Sequence, residues 1–166
     1  MVVRLANILV GNAPDAAGLE CQFMGPTLRF SEDCLIALCG AEMNATLDGE
    51  DIPQWESLTV AAGQTLACGF ASIGARAYLA VAGGIDVPPV LGARATFHMA
   101  GVGGVEGHAL KDGQSLAVGK GEGVAGRRVK KDCRPPIATA KEWQIEVVQG
   151  PNDDWIAAEG IERFLT

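Results

Sequence analysis

The sequence predicts a mainly β fold with short helices at both ends, and three observations lead to this prediction. The chain has 166 residues, which is enough for one domain with a core of its own. Its 22 glycines and 8 prolines favour many turns between short strands over a helical bundle. Hydrophobic residues make up 48% of the chain and aromatic residues only 5%, so that small and branched aliphatic side chains must fill the core.

A helix is predicted over residues 2–10, because Leu5, Ile8 and Leu9 lie on one face at helical spacing. Gly11-Asn12 follows as a C-terminal stop. No capping residue precedes this helix, and the last helix of the chain has no stop after it. Both ends are therefore expected to continue into segments that this sequence lacks.

Strand patterns begin at residue 19. Alternation of apolar and polar residues predicts a strand over 19–23, and a Gly-Pro turn leads from it into a strand over 27–30. The continuous apolar run 34–39 is typical of a strand that is covered on both faces. Residues 76–82 form the clearest strand pattern of all. Short strands at this spacing, each closed by a turn, are typical of a barrel or a sandwich.

Three hairpins are predicted where strand patterns flank turn residues. They join residues 44–47 to 50–52, 58–60 to 65–70, and 109–110 to 115–118. The first and third turns are Asp-Gly pairs, which supply the positive φ angles of a two-residue turn. The second turn is a Gly-Gln pair.

The C-terminal part has a different composition. The predicted division is a β-barrel-like domain over 1–118, a flexible linker over 119–142 and the start of a following subdomain over 143–166. That last part is predicted to hold a strand over 143–148 and a final helix over 153–165. Asn152 or Asp153 would cap this helix, and its apolar positions are Ile156, Ile161, Phe164 and Leu165.

Charge and cysteine usage exclude several classes of function. The net charge is −7, and the one basic cluster consists of Arg127, Arg128, Lys130, Lys131 and Arg134. We interpret this cluster as a solvated linker, because the overall acidity opposes both nucleic-acid and lipid binding. The uncharged stretch 57–75 holds too many polar residues for a membrane span, and no membrane association is expected. Five cysteines without a Cys-x-x-Cys pair indicate reduced, buried thiols and a cytoplasmic protein.

The familiar catalytic motifs do not occur in the sequence. It has neither a Gly-x-Ser-x-Gly nucleophile turn nor a phosphate-binding loop with its Lys-Ser/Thr pair. His98 and His108 lack the acidic or histidine neighbours of a metal site, so no metal is expected. The pair Asp153-Asp154 suits the start of a helix better than acid–base chemistry. The residue types alone therefore predict a β domain without an assignable reaction.

Residues 75–96 read ARAYLAVAGGIDVPPVLGARAT and closely resemble the signature of one family. This is the allophanate hydrolase subunit 2 / 5-oxoprolinase C-subunit family, also called biotin-dependent carboxyltransferase-like. Further similar segments follow the family order at 4–12, 25–26, 103–104, 107–113 and 150–155. The chain departs from the family at Ala93 and Ala95, where serine is common, and at Met99 and His108, where arginine is frequent.

The resemblance implies a partial cyclophilin-like β-barrel and a binding site for a small amide or carboxylate substrate. The residues implied are Arg76, Tyr78, Asp86, Arg94 and Thr96. Arg94, presented by a stiff loop, suits a carboxylate such as that of 5-oxoproline. The alternative, a purely structural corner of Gly, Asp and Pro residues, stays open. The catalytic residues themselves are unknown.

The resemblance also implies partners and a reaction. We expect the chain to be a subunit of an ATP-dependent complex. In this complex it would work with a subunit-1-type protein to open 5-oxoproline to glutamate. ATP would act in the complex and not through a motif of this chain. The first alternative is a carboxyltransferase domain of a urea carboxylase or urea amidolyase system, which would meet biotin through a separate carrier. The second alternative is a non-catalytic protein that binds a subunit-1-type partner and modulates a histidine kinase. The isolated chain is expected to be inactive and to form a homo-oligomer or bind its partner.

Overall fold

The computed structural model describes residues 1–137, 139, 142, 144–148 and 150–165, leaving out the side chain of Asp153. The predicted mainly β class is confirmed. The helices are α1 (Val2–Leu9) and α2 (Ala158–Leu165), and the strands are β1 (Leu19–Gln22), β2 (Thr27–Arg29), β3 (Cys34–Glu42), β4 (Thr46–Leu47), β5 (Glu50–Asp51), β6 (Ser57–Val60), β7 (Thr65–Ala67) and β8 (Ile73–Val81). Single 3₁₀ turns occur at His98–Ala100, Lys131–Cys133 and Asp153–Trp155.

The strands form two four-stranded sheets in which every pair is antiparallel. The first sheet has the order β1-β8-β3-β6 and the second the order β2-β7-β4-β5. In the part of the chain that the structure describes, the strands of the two sheets do not pair with each other to close a barrel. The architecture is thus two separate sheets and not a closed barrel.

The central strand β3 holds the core together, because both of its faces are buried. Ile36 and Leu38 point into a core shared with the second sheet, where they meet Leu66 and Leu79. Residues on the other face of β3, such as Cys39, point into a second core under α1. The continuous apolar run of the sequence therefore predicted this strand correctly.

Helix α1 packs on the first sheet through small residues. Ala6 is fully buried, Leu9 is 4% exposed and Leu5 is half-buried, but Ile8 is 44% exposed. The predicted apolar face is wrong at Ile8, because the buried face is centred on Ala6 and Asn7. A small side chain at position 6 lets the helix lie close to the small residues of β3 and β8 beneath it.

The first predicted hairpin is confirmed and the second is wrong. Strands β4 and β5 pair around Asp48 and Gly49, whose φ angles of +52° and +89° fit a two-residue turn. Strands β6 and β7, by contrast, belong to different sheets, since β6 pairs with β3 and β7 with β2 and β4. The turn at Gly63 (φ +91°) carries the chain from one sheet to the other.

The third predicted hairpin, over 109–118, is also wrong. Residues 109–117 form no strand, and Val118 makes a single bridge to Ile85. The turn itself forms, because Gln114 N–H donates to the carbonyl of Lys111 (3.2 Å). Exposed flanking residues such as Leu110 gain no buried face by pairing with one another, which removes the usual driving force for a hairpin.

The C-terminal part differs from prediction in two elements. Residues 144–148 form no strand, and Trp143 lies outside the described residues. The final helix begins at Ala158, after the 3₁₀ turn at Asp153–Trp155, and not at residue 153. Of its predicted apolar positions, Ile161 is half-buried, whereas Ile156, Phe164 and Leu165 are exposed. Among the described residues, no helix has the length and apolar composition that a bilayer span requires.

Candidate functional site

A cleft of about 290 Å³ lies beyond the end of β8, where the chain turns sharply. Gly83 and Gly84 make this turn with φ angles of +90° and +73°, which glycine adopts without strain. The walls are formed by Ala13, Asp15, Ala16, Ala17, Gly83, Gly84, Ile85, Asp86, Arg94 and Gly119. Two of the residues predicted from the resemblance, Asp86 and Arg94, thus line the same cleft.

Arg94 is fixed within this cleft by its own loop. Its Nη1 donates a hydrogen bond to the carbonyl of Val87. A tight turn at Leu91 and Gly92, closed by mutual hydrogen bonds between Val90 and Ala93 (2.7 and 3.0 Å), brings the arginine back toward the strand. Arg94 thus lines the cleft together with Asp86 and Asp15. The cleft therefore offers one cationic donor group and two anionic acceptor groups.

A pair of asparagines that sequence reasoning left unassigned positions the walls of the cleft. Asn12 Oδ1 accepts from Gly83 N–H (2.7 Å), while its Nδ2 donates to Val81 O (2.8 Å) and to Asn7 Oδ1 (3.1 Å). Asn7 is fully buried, and its Nδ2 donates to Ala16 O (2.8 Å). The network ties α1 to both walls. No signal in the sequence indicated this role, because Asn7 lies off the predicted apolar face of the helix, and only the structure shows that it is buried.

The backbone around the cleft is already engaged in hydrogen bonds. Ile85 N–H donates to Ala17 O (3.1 Å), Asp86 N–H to Ala117 O (2.9 Å) and Gly119 N–H to Gly84 O (2.9 Å). These bonds make the walls rigid, and they occupy the amide groups that would otherwise form an anion-binding nest. An anionic group in the cleft would therefore be held by the Arg94 guanidinium.

Arg76 and Tyr78 lie at a different place. Both are on β8, in the register where β1 presents Gln22 and Glu20. Arg76 Nε forms an exposed ion pair with Glu20 (3.4 Å). Burial first, and then the hydrogen bond and charge of Glu20, raise the pKa of the Tyr78 hydroxyl. Arg76 precedes the Gly83 turn by seven residues, roughly 20 Å along an extended strand.

Thr96 is half-buried in the loop that follows Arg94, outside the lining of the cleft. The chain doubles back on this residue, so that a Cβ at Gly104 would collide with Thr96 Oγ1. The structure therefore brings Asp86 and Arg94 together, but it does not bring Arg76, Tyr78 or Thr96 to them. A substrate-binding role for these three residues stays a prediction of the resemblance.

The cysteines have the chemistry of buried thiols. Burial raises the pKa of Cys21 and Cys39 to about 12 and that of Cys34 and Cys68 to about 11. These thiols are protonated at neutral pH and are therefore poor nucleophiles. Across the described part of the chain, no three His, Cys, Asp or Glu residues are grouped so that they could hold a metal ion.

Comparisons with known proteins give matches over the whole chain. The family described as carboxyltransferase domain, subdomain A and B, matches residues 1–166. Urea amidolyase of Saccharomyces cerevisiae is 38% identical over 170 residues, covering 98% of this chain and 9% of that protein. The C subunit of 5-oxoprolinase from Escherichia coli is 46% identical over 118 residues, covering 71% of this chain and 38% of that protein.

Solved structures agree with these relatives. The crystal structure of the Kluyveromyces lactis urea carboxylase matches with a TM-score of 0.80 at 37% identity, covering 98% of this chain and 15% of that one. The chain thus spans less than two-fifths of the length of each of these relatives.

Proposed function

Because the chain belongs to the carboxyltransferase domain, subdomain A and B, family, we propose that it is the substrate-binding part of an ATP-dependent amide-metabolising complex, in the role of a 5-oxoprolinase C subunit. The observation that carries this proposal is the cleft that is lined by Arg94, Asp86 and Asp15. The 46% identity with the C subunit of a 5-oxoprolinase supports 5-oxoproline as the substrate.

5-Oxoproline has the groups that this cleft can recognise. Its carboxylate would pair with the guanidinium of Arg94, whose planar donors fit a carboxylate. Its lactam N–H would donate to the carboxylate of Asp86 or Asp15. Recognition of the acid and the amide together explains why a cleft with one cation also holds two anions.

The residues of this chain would bind and orient the lactam and would leave ring opening to the complex. ATP would be used by another protein of the complex, because this chain has no nucleotide-binding loop. Its buried cysteines Cys21 and Cys39, whose pKa values are raised by burial, supply no thiolate nucleophile at neutral pH. A subunit-1-type protein is the partner proposed, and the free cysteines support a reducing, cytoplasmic compartment.

A second candidate is a carboxyltransferase domain of a urea carboxylase, with biotin delivered by a separate carrier. The observation in its favour is coverage: the urea amidolyase match extends over 98% of the chain, against 71% for the 5-oxoprolinase match. Urea is neutral and carries N–H donors on both nitrogens. It would therefore depend on Asp86 and Asp15 more than on the charge of Arg94.

Substitution of Arg94 distinguishes these candidates. We expect Arg94→Ala to weaken binding of 5-oxoproline roughly tenfold or more, because a charge-assisted hydrogen bond contributes about 1.5–3 kcal/mol. Arg94→Lys should recover part of this loss. Titration calorimetry of the 166-residue chain with 5-oxoproline and with urea is the measurement, and Arg4→Ala, an exposed arginine on α1, is the matched control.

The outcomes separate clearly. Binding of 5-oxoproline that Arg94→Ala leaves unchanged would contradict the proposed site. Binding of urea alone, reduced by Asp86→Asn and indifferent to Arg94→Ala, would favour the urea carboxylase candidate. Reconstitution with a subunit-1-type protein should then give ATP-dependent opening of 5-oxoproline that the Arg94→Ala chain supports poorly.

A further inference from the structure

The basic cluster of the sequence forms an ordered surface feature, which we call the basic ridge and define as Arg127, Arg128, Lys130, Lys131 and Arg134. Five of the chain's 13 Lys and Arg residues lie in these eight positions, together with only one of its 20 Asp and Glu residues, Asp132. A cationic surface of this density is unusual on a chain whose net charge is −7.

The start of the ridge is fixed to the edge of the first sheet by Ser57, which is 2% exposed. Ser57 N–H donates to Arg127 O (2.8 Å), and Arg127 N–H donates back to Ser57 Oγ (3.0 Å). Gly126 N–H donates to Ser57 O (2.8 Å), and Ser57 Oγ donates to Val124 O (2.9 Å). The segment 124–127 is therefore bonded to Ser57, the first residue of β6, and Arg128 forms a single antiparallel bridge with Glu56 just before this strand.

Trp55 fixes the rest of the ridge. Val129 N–H donates to Trp55 O (2.9 Å), and the half-buried Val129 side chain packs against the core under α1. The Arg134 guanidinium lies 5.6 Å from the centroid of the Trp55 ring and donates through Nε to Val129 O (3.2 Å). Backbone order along 124–134 is thus set by contacts with a buried tryptophan and a buried serine.

The cationic groups of Arg127, Arg128, Lys130 and Lys131 face outward from this fixed backbone, since all four residues are exposed. Arg128 also reaches Glu56 (3.2 Å), although its side chain remains 69% exposed. Cations on an ordered backbone lose less conformational freedom on binding than cations on a flexible linker. The ridge therefore has the properties of a preformed electrostatic docking surface.

We propose that the basic ridge docks a carboxylate-rich segment of a partner protein. Charge complementarity identifies the occupant as anionic. The carboxylates of Glu56 and Asp132 lie beside the ridge, and the rest of the chain is strongly acidic. These negative charges repel a nucleic acid, which has a phosphate at every unit, more than they repel a protein segment of moderate charge. This surface is separate from the Arg94 cleft, and the proposal does not depend on the proposed function.

A charge-reversal experiment tests the ridge. The probe is a fluorescent peptide in which four glutamates alternate with four glycines, and its binding to the 166-residue chain is followed by anisotropy at low ionic strength. The triple variant Arg128→Glu/Lys130→Glu/Lys131→Glu should bind the peptide roughly tenfold or more weakly, and salt should weaken binding to the unsubstituted chain. The control Arg4→Glu/Arg29→Glu/Lys111→Glu changes the net charge equally at exposed residues elsewhere and should bind within roughly twofold of the unsubstituted chain.

Circular dichroism and thermal unfolding first establish that both triple variants are folded. Three results would overturn the proposal: no binding of the peptide by the unsubstituted chain, an equal loss in both triple variants, or tighter binding of an oligothymidylate of equal charge than of the peptide. The second of these would show that only net charge matters, and the third would assign the ridge to nucleic acid.

Discussion

Two glycine-rich regions of this molecule, residues 88–116 and residues 119–129, have a similar composition and a different physical basis. In the first region, all six glycines have positive φ angles, and they are Gly92, Gly101, Gly103, Gly104, Gly107 and Gly113. Its backbone hydrogen bonds close local turns, such as Phe97 N–H to Val102 O (2.8 Å). Glycine serves here to turn the chain.

In the second region, glycine serves to bring two backbones into contact. A Cβ at Gly121 would collide with the backbone of Ala82 and Gly83, and one at Gly123 would lie 2.6 Å from Val10 O. The hydrogen bonds of this region reach residues far away in sequence, as in Gly119 N–H to Gly84 O (2.9 Å). A composition typical of a flexible linker thus also suits a segment that is packed tightly against a sheet and a helix.

The largest effect should come from adding one methyl group in the second region. Gly121→Ala should lower the free energy of unfolding by about 3 kcal/mol, because the atoms that the new Cβ meets are backbone atoms and cannot move aside cheaply. Urea denaturation measures this change. Gly150→Ala is the matched control, because no atom of the described residues lies within 4 Å of its added Cβ. Equal costs for the two substitutions would contradict the close-packing interpretation.

Proteolysis should distinguish the two regions by rate. Trypsin should cut after Lys111 before it cuts after Arg127 and Arg128, because cleavage needs local opening and the backbone of the second region is bonded to Ser57 and Trp55. Mass spectrometry of early time points gives the order of cuts. A flexible linker predicts the opposite order, so that first cleavage after Arg127 or Arg128 would support the linker interpretation.

The smallest expected effect is a difference in alkylation rate between two cysteines near the second region, Cys39 and Cys133. Cys39 is fully buried in the core that includes Val129, and burial raises the pKa of its thiol to about 12 from an ordinary 9.0. Cys133 is exposed. At pH 8 and under native conditions, iodoacetamide should modify Cys133 far faster than Cys39, as measured by peptide mapping.

The raised pKa of Cys39 also predicts the sign of a pH effect. Below pH 9 the thiol is protonated in both the native and the unfolded state, and its contribution to stability is complete. As the pH rises from 9 toward 12, only the unfolded state ionises, so that the free energy of unfolding should fall by about 1.4 kcal/mol per pH unit for this thiol. Cys39→Ala should remove that part of the slope. An unchanged slope would show that Cys39 does not contribute to it.

The sequence predicted those features that depend on neighbouring residues. The buried strand β3 and the hairpin at Asp48 and Gly49 are specified by local pattern and turn chemistry, and both were predicted correctly. The role of the turn at Gly63 was not predicted, because a hairpin turn and a turn that leads from one sheet to another have similar local sequences. Only the distant pairing of β6 with β3 distinguishes them.

The same distinction applies to the candidate site. Asp86 and Arg94 are close in sequence and belong to one recognisable motif, so the resemblance identified both of them. Asn12 acts on Gly83 across 71 positions of sequence, and no local pattern indicates that contact. The ordered backbone of the basic ridge was missed for the same reason, since Ser57 and Arg127 are 70 positions apart.

The crossing at Gly63 has a consequence for the order in which the chain acquires its structure during synthesis. Strand β3 can pair with β6 once residue 60 has emerged, but its other edge waits for β8, which ends at Val81. Strand β1 is made first and has no partner until that same point. A nascent chain therefore carries an apolar strand with one open edge over some 20 residues of translation, on the order of one to a few seconds. We expect the first sheet to form late and as a unit, and chaperones that bind extended apolar segments to act in that interval.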